Sequence, residues 1–170
     1  MYDPPKDFML QFKESGWTPG RSVKVPSHIP AVHPAVQVLK RYAGLTVGAC
    51  GSGVEVSKSD IEFRIPDTDN PEEFNEKVFW EKAMNTKLIS IAHVHHQHGE
   101  LFLAENGFCF GRSYIHDAMW LEGETFSIAM KTLLAGYRVK PMLRPDQAVV
   151  SVYGVEYNNE SAGVFEWKEL

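Results

Sequence analysis

Residues 101–110 of this chain read Leu-Phe-Leu-Ala-Glu-Asn-Gly-Phe-Cys-Phe, and this stretch decides the fold class. An Asn-Gly pair between two apolar runs, here Asn106-Gly107, is the strongest short-range signal for a β-hairpin, because both residue types tolerate a positive φ. We therefore predict paired strands at residues 101–104 and 108–110, each with a large apolar face. Cys109 lies between two phenylalanines, which indicates a small core residue.

An amphipathic helix is predicted after the hairpin. Apolar residues recur there at i, i+3, i+4, i+7 and i+8, which places them on one helical face: Phe126, Ala129, Met130, Leu133 and Leu134. Gly136 follows at the position where a left-handed residue commonly ends a helix. Such stripes are usually core, so this best-specified part of the sequence describes a scaffold.

Three further helices are predicted from helix start and stop signals. They span residues 4–16, residues 34–44 and a segment that begins near residue 70, where an Asn-Pro pair precedes acidic residues. The third helix has an apolar face formed by Phe74, Val78 and Phe79.

Strands are predicted where apolar residues alternate or cluster, at residues 45–48, 61–65, 87–94 and 148–153. Pro141 and Pro145 are expected to break the chain before the last of these strands. Strands grouped in the middle of the chain, with helices towards its ends, predict an α+β fold in which helices pack on a mostly antiparallel sheet.

Length and charge limit the classes of function. The chain has 170 residues and 44% hydrophobic residues, so we expect residues 1–170 to form one domain. Acidic residues outnumber basic ones 22 to 17, giving a net charge of −5, which argues against a nucleic-acid partner. No signal peptide and no membrane-spanning run is visible, so a cytoplasmic protein without a membrane partner is expected. Cys50 and Cys109 are then expected to be free thiols.

The histidines at residues 93–98 are the best candidates for chemistry. If the strand continues through them, His93 and His95 share a face and could chelate a divalent metal, with His98 as a third ligand. A metal-binding protein or metal-dependent enzyme is therefore the alternative function. Completing such a site requires a remote group, for which Asp67, Glu100 and His116 are the candidates. The alternative is an exposed polar loop. No other catalytic, phosphate-binding or cofactor motif is present, so we expect neither a cofactor nor an enzyme.

A protein partner is the other candidate for function. An acidic patch could attract a basic surface, and it comprises Asp67, Asp69, Glu72, Glu73 and Glu76. Trp17, Arg21 and Trp120 are residue types enriched at interface hot spots. Each has a structural alternative, which is a solvated helix start for the carboxylates, core packing for the tryptophans and bonds to backbone carbonyls for Arg21.

Several short motifs occur in a familiar order. They are Gly-Trp-x-Pro-Gly-Arg at residues 16–21, His-Pro-Ala at 33–35, Ala-Gly-Leu at 43–45, the hairpin at 101–110, a linker at 121–123 and the helix at 126–136. In this order and spacing the chain resembles the SUKH superfamily of bacterial immunity proteins, specifically its third immunity-protein group, related to SMI/KNR-like domains. The resemblance covers about residues 8–137, and residues 138–170 extend beyond it.

The resemblance implies an α+β fold and a non-enzymatic role. Proteins of this kind are usually encoded beside a polymorphic toxin, often a nuclease or deaminase, which they neutralise by direct binding. Some SMI/KNR-like proteins instead act as scaffold or regulatory modules, so a host partner is an alternative. The histidines at residues 93–98 are not part of the family pattern.

Overall fold

The computed structural model describes residues 2–67 and 74–169. Four α-helices lie in these residues: α1 (Met9–Glu14), α2 (Ala35–Tyr42), α3 (Phe74–Ala83) and α4 (Phe126–Ala135). A 3-10 turn, Lys6–Phe8, precedes α1, and another, Trp167–Glu169, lies near the C-terminus.

The described strands form one large antiparallel sheet and a separate hairpin. Seven strands pair in chain order: β1 (Thr46–Val47), β2 (Ile61–Phe63), β3 (Leu88–Val94), β4 (Gly99–Ala104), β5 (Cys109–Ser113), β6 (Met119–Gly123) and β7 (Lys140–Met142). The hairpin consists of β8 (Val150–Val152) and β9 (Val155–Tyr157). The predicted α+β class, with helices packed on an antiparallel sheet, is confirmed.

The predicted β4–β5 hairpin is confirmed, and its turn shows how the Asn-Gly pair works. Gly107 has a φ of 91°, and its N–H donates to the Ala104 carbonyl at 3.0 Å. Asn106 does not adopt a positive φ. Its side-chain oxygen instead accepts the Phe108 N–H at 3.1 Å. In this turn the glycine supplies the left-handed backbone and the asparagine supplies a hydrogen-bond acceptor.

Helix α4 is also confirmed, including its ends. All residues of the predicted apolar face are buried. The Thr125 side chain accepts the Ile128 N–H at 3.2 Å and caps the N-terminus, while Gly136 ends the helix with a φ of 74°.

The two sheet faces bury different clusters of side chains. The inner face, which carries Leu101 and Leu103, packs on α1, α2 and α4, with Phe12, Tyr42, Phe63 and Phe126 among the rings of this core. The outer face, which carries Phe102 and Phe110, packs on Trp80 of α3 and on Phe165 and Trp167 near the C-terminus.

Two strands were missed in the sequence. Residues 121–123, interpreted as a linker, belong to β6, and all of β6 is buried. Pro141, expected to break the chain, lies inside β7 opposite Trp120. A proline is compatible with β7 because this strand is at the edge of the sheet, where one side needs no N–H for pairing.

The prediction for α3 was wrong in part. Val78 was assigned to the buried face, but it is 46% exposed, and Trp80 is instead buried at 1% exposure. The predicted helix start at residues 70–73 lies outside the described residues, as does the side chain of Phe74.

Glu122 is a buried acid on the inner face. The Trp120 indole N–H donates to Glu122 Oε2 at 2.6 Å, while Glu122 Oε1 finds no hydrogen-bond partner among the described residues. Burial raises the pKa of Glu122 from its ordinary 4.5 to about 7, although the bond from Trp120 opposes the rise. Gly111 leaves room for this pair, since a Cβ there would lie 2.1 Å from Trp120 Nε1.

We expect Glu122→Gln to remove part of the pH dependence of stability. The folded state of the wild type holds this proton more tightly than the unfolded state, so its stability falls as pH rises from 4.5 to about 7. The loss amounts to about 3 kcal/mol at most. Glutamine keeps an acceptor for Trp120 but does not ionise. Urea unfolding of both proteins from pH 4.5 to 8 measures the difference, with exposed Glu124→Gln as the matched control. Parallel pH profiles for wild type and Glu122→Gln would contradict this prediction.

Candidate binding surface

A row of polar side chains crosses the outer face of the sheet. Glu62, His93, Glu100 and Arg112 are direct cross-strand neighbours on β2, β3, β4 and β5, and together we call them the polar row. Residues on one strand alternate between faces, so Glu100 shares the outer face with Phe102. Helix α3 packs on the apolar part of this face, and the polar row lies beside it.

A β-bulge brings His93 into this row. Ser90 pairs with Phe102 and Ala92 pairs with Leu101, so Ile91 is an extra residue in β3. Without the bulge, alternation from Ser90 would point His93 to the inner face. The bulge therefore places an imidazole on the outer face.

A pocket of about 230 Å³ opens beside the polar row. Its lining is mostly polar and consists of Arg64, Pro66, Asp67, Ser90, His93, Glu100 and Tyr114. Tyr114 is 41% exposed, whereas Glu100 is 1% exposed. The pocket thus presents an accessible aromatic ring beside a carboxylate that is shielded from solvent.

Two arginines neutralise the carboxylates of the pocket. The Tyr114 hydroxyl donates to Glu100 Oε2 at 2.9 Å, and Arg112 Nε lies 3.6 Å from the same oxygen. The Arg112 guanidinium also stacks over the Tyr114 ring, 4.9 Å from its centroid. Arg64 lies 3.3 Å from His93 Nδ1 and 3.2 Å from Asp67 Oδ2. Tyr114 is therefore held in place by charged neighbours.

The ion pairs continue beneath α3. Glu76 lies between two guanidinium groups, 3.9 Å from Arg112 and 3.7 Å from Arg144. Burial raises the pKa of Glu76, while the two arginines act in the opposite direction. Arg144 also pairs with Asp117 at 2.6 Å and with Asp146 at 3.1 Å. This network joins α3 to the sheet and to the segment after β7.

The predicted contact residues lie in different environments. Trp17 and Trp120 are 6% and 5% exposed and belong to core clusters, as the structural alternative stated. Arg21 Nη2 donates to the Ala43 carbonyl at 2.6 Å, so Arg21 bonds a backbone carbonyl at the end of α2 and not one of the adjacent Pro-Gly turn. Glu76 is tied into the internal network described above.

The acidic patch is described only at its two ends. Asp67 is exposed at the rim of the pocket, whereas Glu76 is partly buried. Asp69, Glu72 and Glu73 lie outside the described residues, and their part in partner binding stays a prediction.

The histidines do not converge as the strand pattern predicted. Strand β3 ends at Val94, and His95 adopts a φ of 53° in the turn that follows. His93 lies by Arg64 in the pocket, whereas His95 lies 3.4 Å from the hydroxyl of Tyr153. Within the described residues, His93, His95 and His98 form no group spaced to hold a metal ion.

Arg64, Arg112 and Tyr114 were missed in the sequence. Each stands in an unremarkable local context, and no spacing rule links residue 64 to residue 112. The pairing of strands β2–β5 brings these residues close together. Finding them from the sequence would therefore require the correct register of these strands.

A family model described as SUKH-3 immunity protein matches residues 5–136. The chain belongs to this family. The match spans α1–α4, β1–β6 and the whole polar row of the SUKH-3 protein. Searches of curated proteins and of solved structures returned no match. In the described part of the SUKH-3 protein, no helix combines the length and apolar character needed to cross a membrane.

The motifs that carry the resemblance are structural in this SUKH-3 protein. His33 is 3% exposed, and its Nδ1 accepts the Ala35 N–H at 3.1 Å at the start of α2. Arg21 bonds a carbonyl at the other end of α2. These motifs build the helical layer on the inner face, and none of them contributes to the polar row on the outer face.

Proposed function

We propose that this SUKH-3 protein is a bacterial immunity protein that neutralises a cognate toxin, a nuclease or a deaminase, by binding it directly in the cytoplasm. The family match over residues 5–136 is the observation that supports this proposal. Immunity-protein families are generally non-enzymatic, and we propose that this chain likewise acts by occlusion of its partner.

The binding surface in this proposal is the polar row and its pocket. Helices cover the inner face, but the outer face presents half-buried Glu62 and His93 beside exposed Asp67. Tyr114 supplies an exposed aromatic ring next to a guanidinium, and such residues are enriched at interface hot spots. This surface replaces the buried Trp17 and Trp120 as the predicted aromatic anchor.

Charge favours a basic partner. The chain carries a net charge of −5, Asp67 lines the pocket, and Glu62 lies at the end of the polar row. A nuclease binds its substrate through a basic groove, since phosphates are anionic. Long-range attraction between the two surfaces would then speed their association.

The C-terminal segment belongs to the same unit in this proposal. Phe165 packs within 6.5 Å of Phe108 and 6.4 Å of Phe110, measured between ring centroids. The Trp167 indole N–H donates to the Leu143 carbonyl at 2.9 Å. We therefore propose that residues 1–170 act as one domain, in which Phe165 and Trp167 pack on the outer face and β8 packs with Trp120.

A binding titration with the product of the adjacent toxin gene tests the proposed function. Tyr114→Ala is expected to weaken binding at least roughly tenfold, as for a hot-spot residue. The double variant Glu62→Lys/Asp67→Lys is expected to slow association and to reduce its dependence on salt. Calorimetry measures the affinity, and stopped-flow mixing at several salt concentrations measures the rate.

Glu14→Lys is the matched control, because Glu14 is an exposed carboxylate on α1 at the inner-face side. It is expected to leave affinity unchanged. Equal effects of the control and the pocket variants would contradict the proposed surface. Failure of the wild type both to bind the toxin and to protect cells expressing it would contradict the function itself.

A further inference from the structure

We propose that Cys50, Asp60 and His96 form a binding site for Zn²⁺, distinct from the polar row. The three residues come from separate segments, after β1, directly before β2 and in the β3–β4 turn. Their ligand atoms all lie within 4.8 Å of one another, and in the described residues they are the group spaced to hold a metal ion. A thiolate, a carboxylate and an imidazole are all ordinary zinc ligands.

Two of the distances between ligand residues are close to those of a tetrahedral zinc site, each measured to a different oxygen of Asp60. Cys50 Sγ lies 3.2 Å from Asp60 Oδ1, and His96 Nδ1 lies 3.4 Å from Asp60 Oδ2. Zinc bonds of about 2.3 Å to sulfur and about 2.1 Å to nitrogen or oxygen place adjacent ligand atoms roughly 3.3–3.6 Å apart in a tetrahedron. Small movements of these side chains would therefore admit the ion.

The backbone holds His96 where the other two ligands can meet it. His95, His96 and Gln97 have φ values of 53°, 53° and 66°. This is the left-handed backbone conformation, which residues other than glycine rarely adopt. Ser59 Oγ accepts the His95 N–H at 2.8 Å, and Asp60 Oδ1 accepts the His96 N–H at 2.8 Å. Residues 59 and 60 thus fix the unusual turn.

The position of Cys50 is fixed by the loop between β1 and β2. The neighbouring Gly51 pairs with Lys58 in an isolated bridge, which closes the loop between β1 and β2 and brings Cys50 back to Asp60. The Cys50 thiol donates a hydrogen bond to Asp60 Oδ1 at 3.2 Å. Zinc binding would release the thiol proton to solvent as the sulfur–metal bond forms.

The charges, the donor atoms and the exposure of Cys50, Asp60 and His96 favour zinc over other cations. The thiolate and carboxylate supply two negative charges, which match a divalent cation, and the sulfur and nitrogen ligands favour zinc over magnesium or calcium. The His96 side chain is 70% exposed, so the fourth position faces solvent and takes a water molecule. A bound ion would tie the β1–β2 loop to the β3–β4 turn.

Cobalt and zinc titrations of the full chain, purified without a histidine tag, test this site. We expect one Co²⁺ per chain, with the charge-transfer absorption of a thiolate ligand, and displacement of the cobalt by zinc. Cys50→Ser is expected to abolish that absorption and to weaken zinc binding more than ~100-fold. His96→Asn, which tolerates the left-handed backbone, is expected to weaken binding to a similar extent.

His98→Ala is the matched control, because His98 is an exposed histidine of the same turn that lies outside the group. Zinc is also expected to raise the melting temperature of the wild type and of His98→Ala but not of Cys50→Ser. Circular dichroism checks that each variant is folded. Absence of binding, cobalt absorption that survives Cys50→Ser, or loss of binding in His98→Ala would each overturn the proposal.

Discussion

Arg112→Met is expected to destabilise the protein by about 3–5 kcal/mol, because it removes the cation that faces the buried carboxylate of Glu100 and the partly buried carboxylate of Glu76. Arg112 is 8% exposed and lies between Glu100 at 3.6 Å and Glu76 at 3.9 Å. Methionine fills a similar volume but removes the cation beside Glu100, and it leaves Glu76 with Arg144 as its partner. Urea unfolding at pH 7 measures the free energy of unfolding.

A second substitution separates charge from packing. Glu100→Gln in the Arg112→Met background removes the charge that lost its cation while keeping an acceptor for Tyr114, so part of the lost stability is expected to return. Arg138→Met, at an exposed arginine, is the control and is expected to change stability by no more than about 0.5 kcal/mol. A loss in Arg112→Met no larger than in this control would show that the network contributes little.

Leu133→Ala is expected to cost about 2–5 kcal/mol, the range for truncating buried leucines. Leu133 is 2% exposed and belongs to the core between α4 and the inner face of the sheet. Truncation leaves a cavity because the other side chains of this core cluster are fixed by their own packing. Thermal and urea unfolding both measure the effect.

Ile128→Ala provides a matched control on the same helix. Ile128 is 47% exposed, so removing a comparable apolar volume there is expected to cost no more than about 0.5 kcal/mol. Equal costs at the two positions would mean that α4 does not pack on the sheet through its Leu133 side.

Most of the inner layer could be predicted from the sequence. The Asn106-Gly107 turn, the apolar stripe of α4 and the end of that helix at Gly136 all depend on residues within a turn or two of each other. Such signals are local, so backbone preferences and the spacing of apolar residues are enough to reveal them. Strand β6 was missed because its composition lacks a clear alternation and its burial depends on both neighbouring strands.

The candidate sites could not be predicted in the same way. The His93–His95 chelate assumed that β3 continues, but the strand ends at Val94 and the left-handed backbone at His95 sends its side chain away from His93. The histidine that does meet other zinc ligands is His96, whose partners lie 36 and 46 positions earlier in the chain. The pairing of β2 with β3 brings His96 to Asp60, and the Gly51–Lys58 bridge brings Cys50 to the same place.

The sequence by itself determined an acidic α+β protein with a β-hairpin, a helical layer and family-specific motifs, because these depend on local backbone preference and on the periodicity of apolar residues. The tertiary structure alone decided which charges meet. Strand register, one bulge and one turn select the neighbours of Glu100, Arg112 and Asp60, since contacts between distant residues follow from how strands pair.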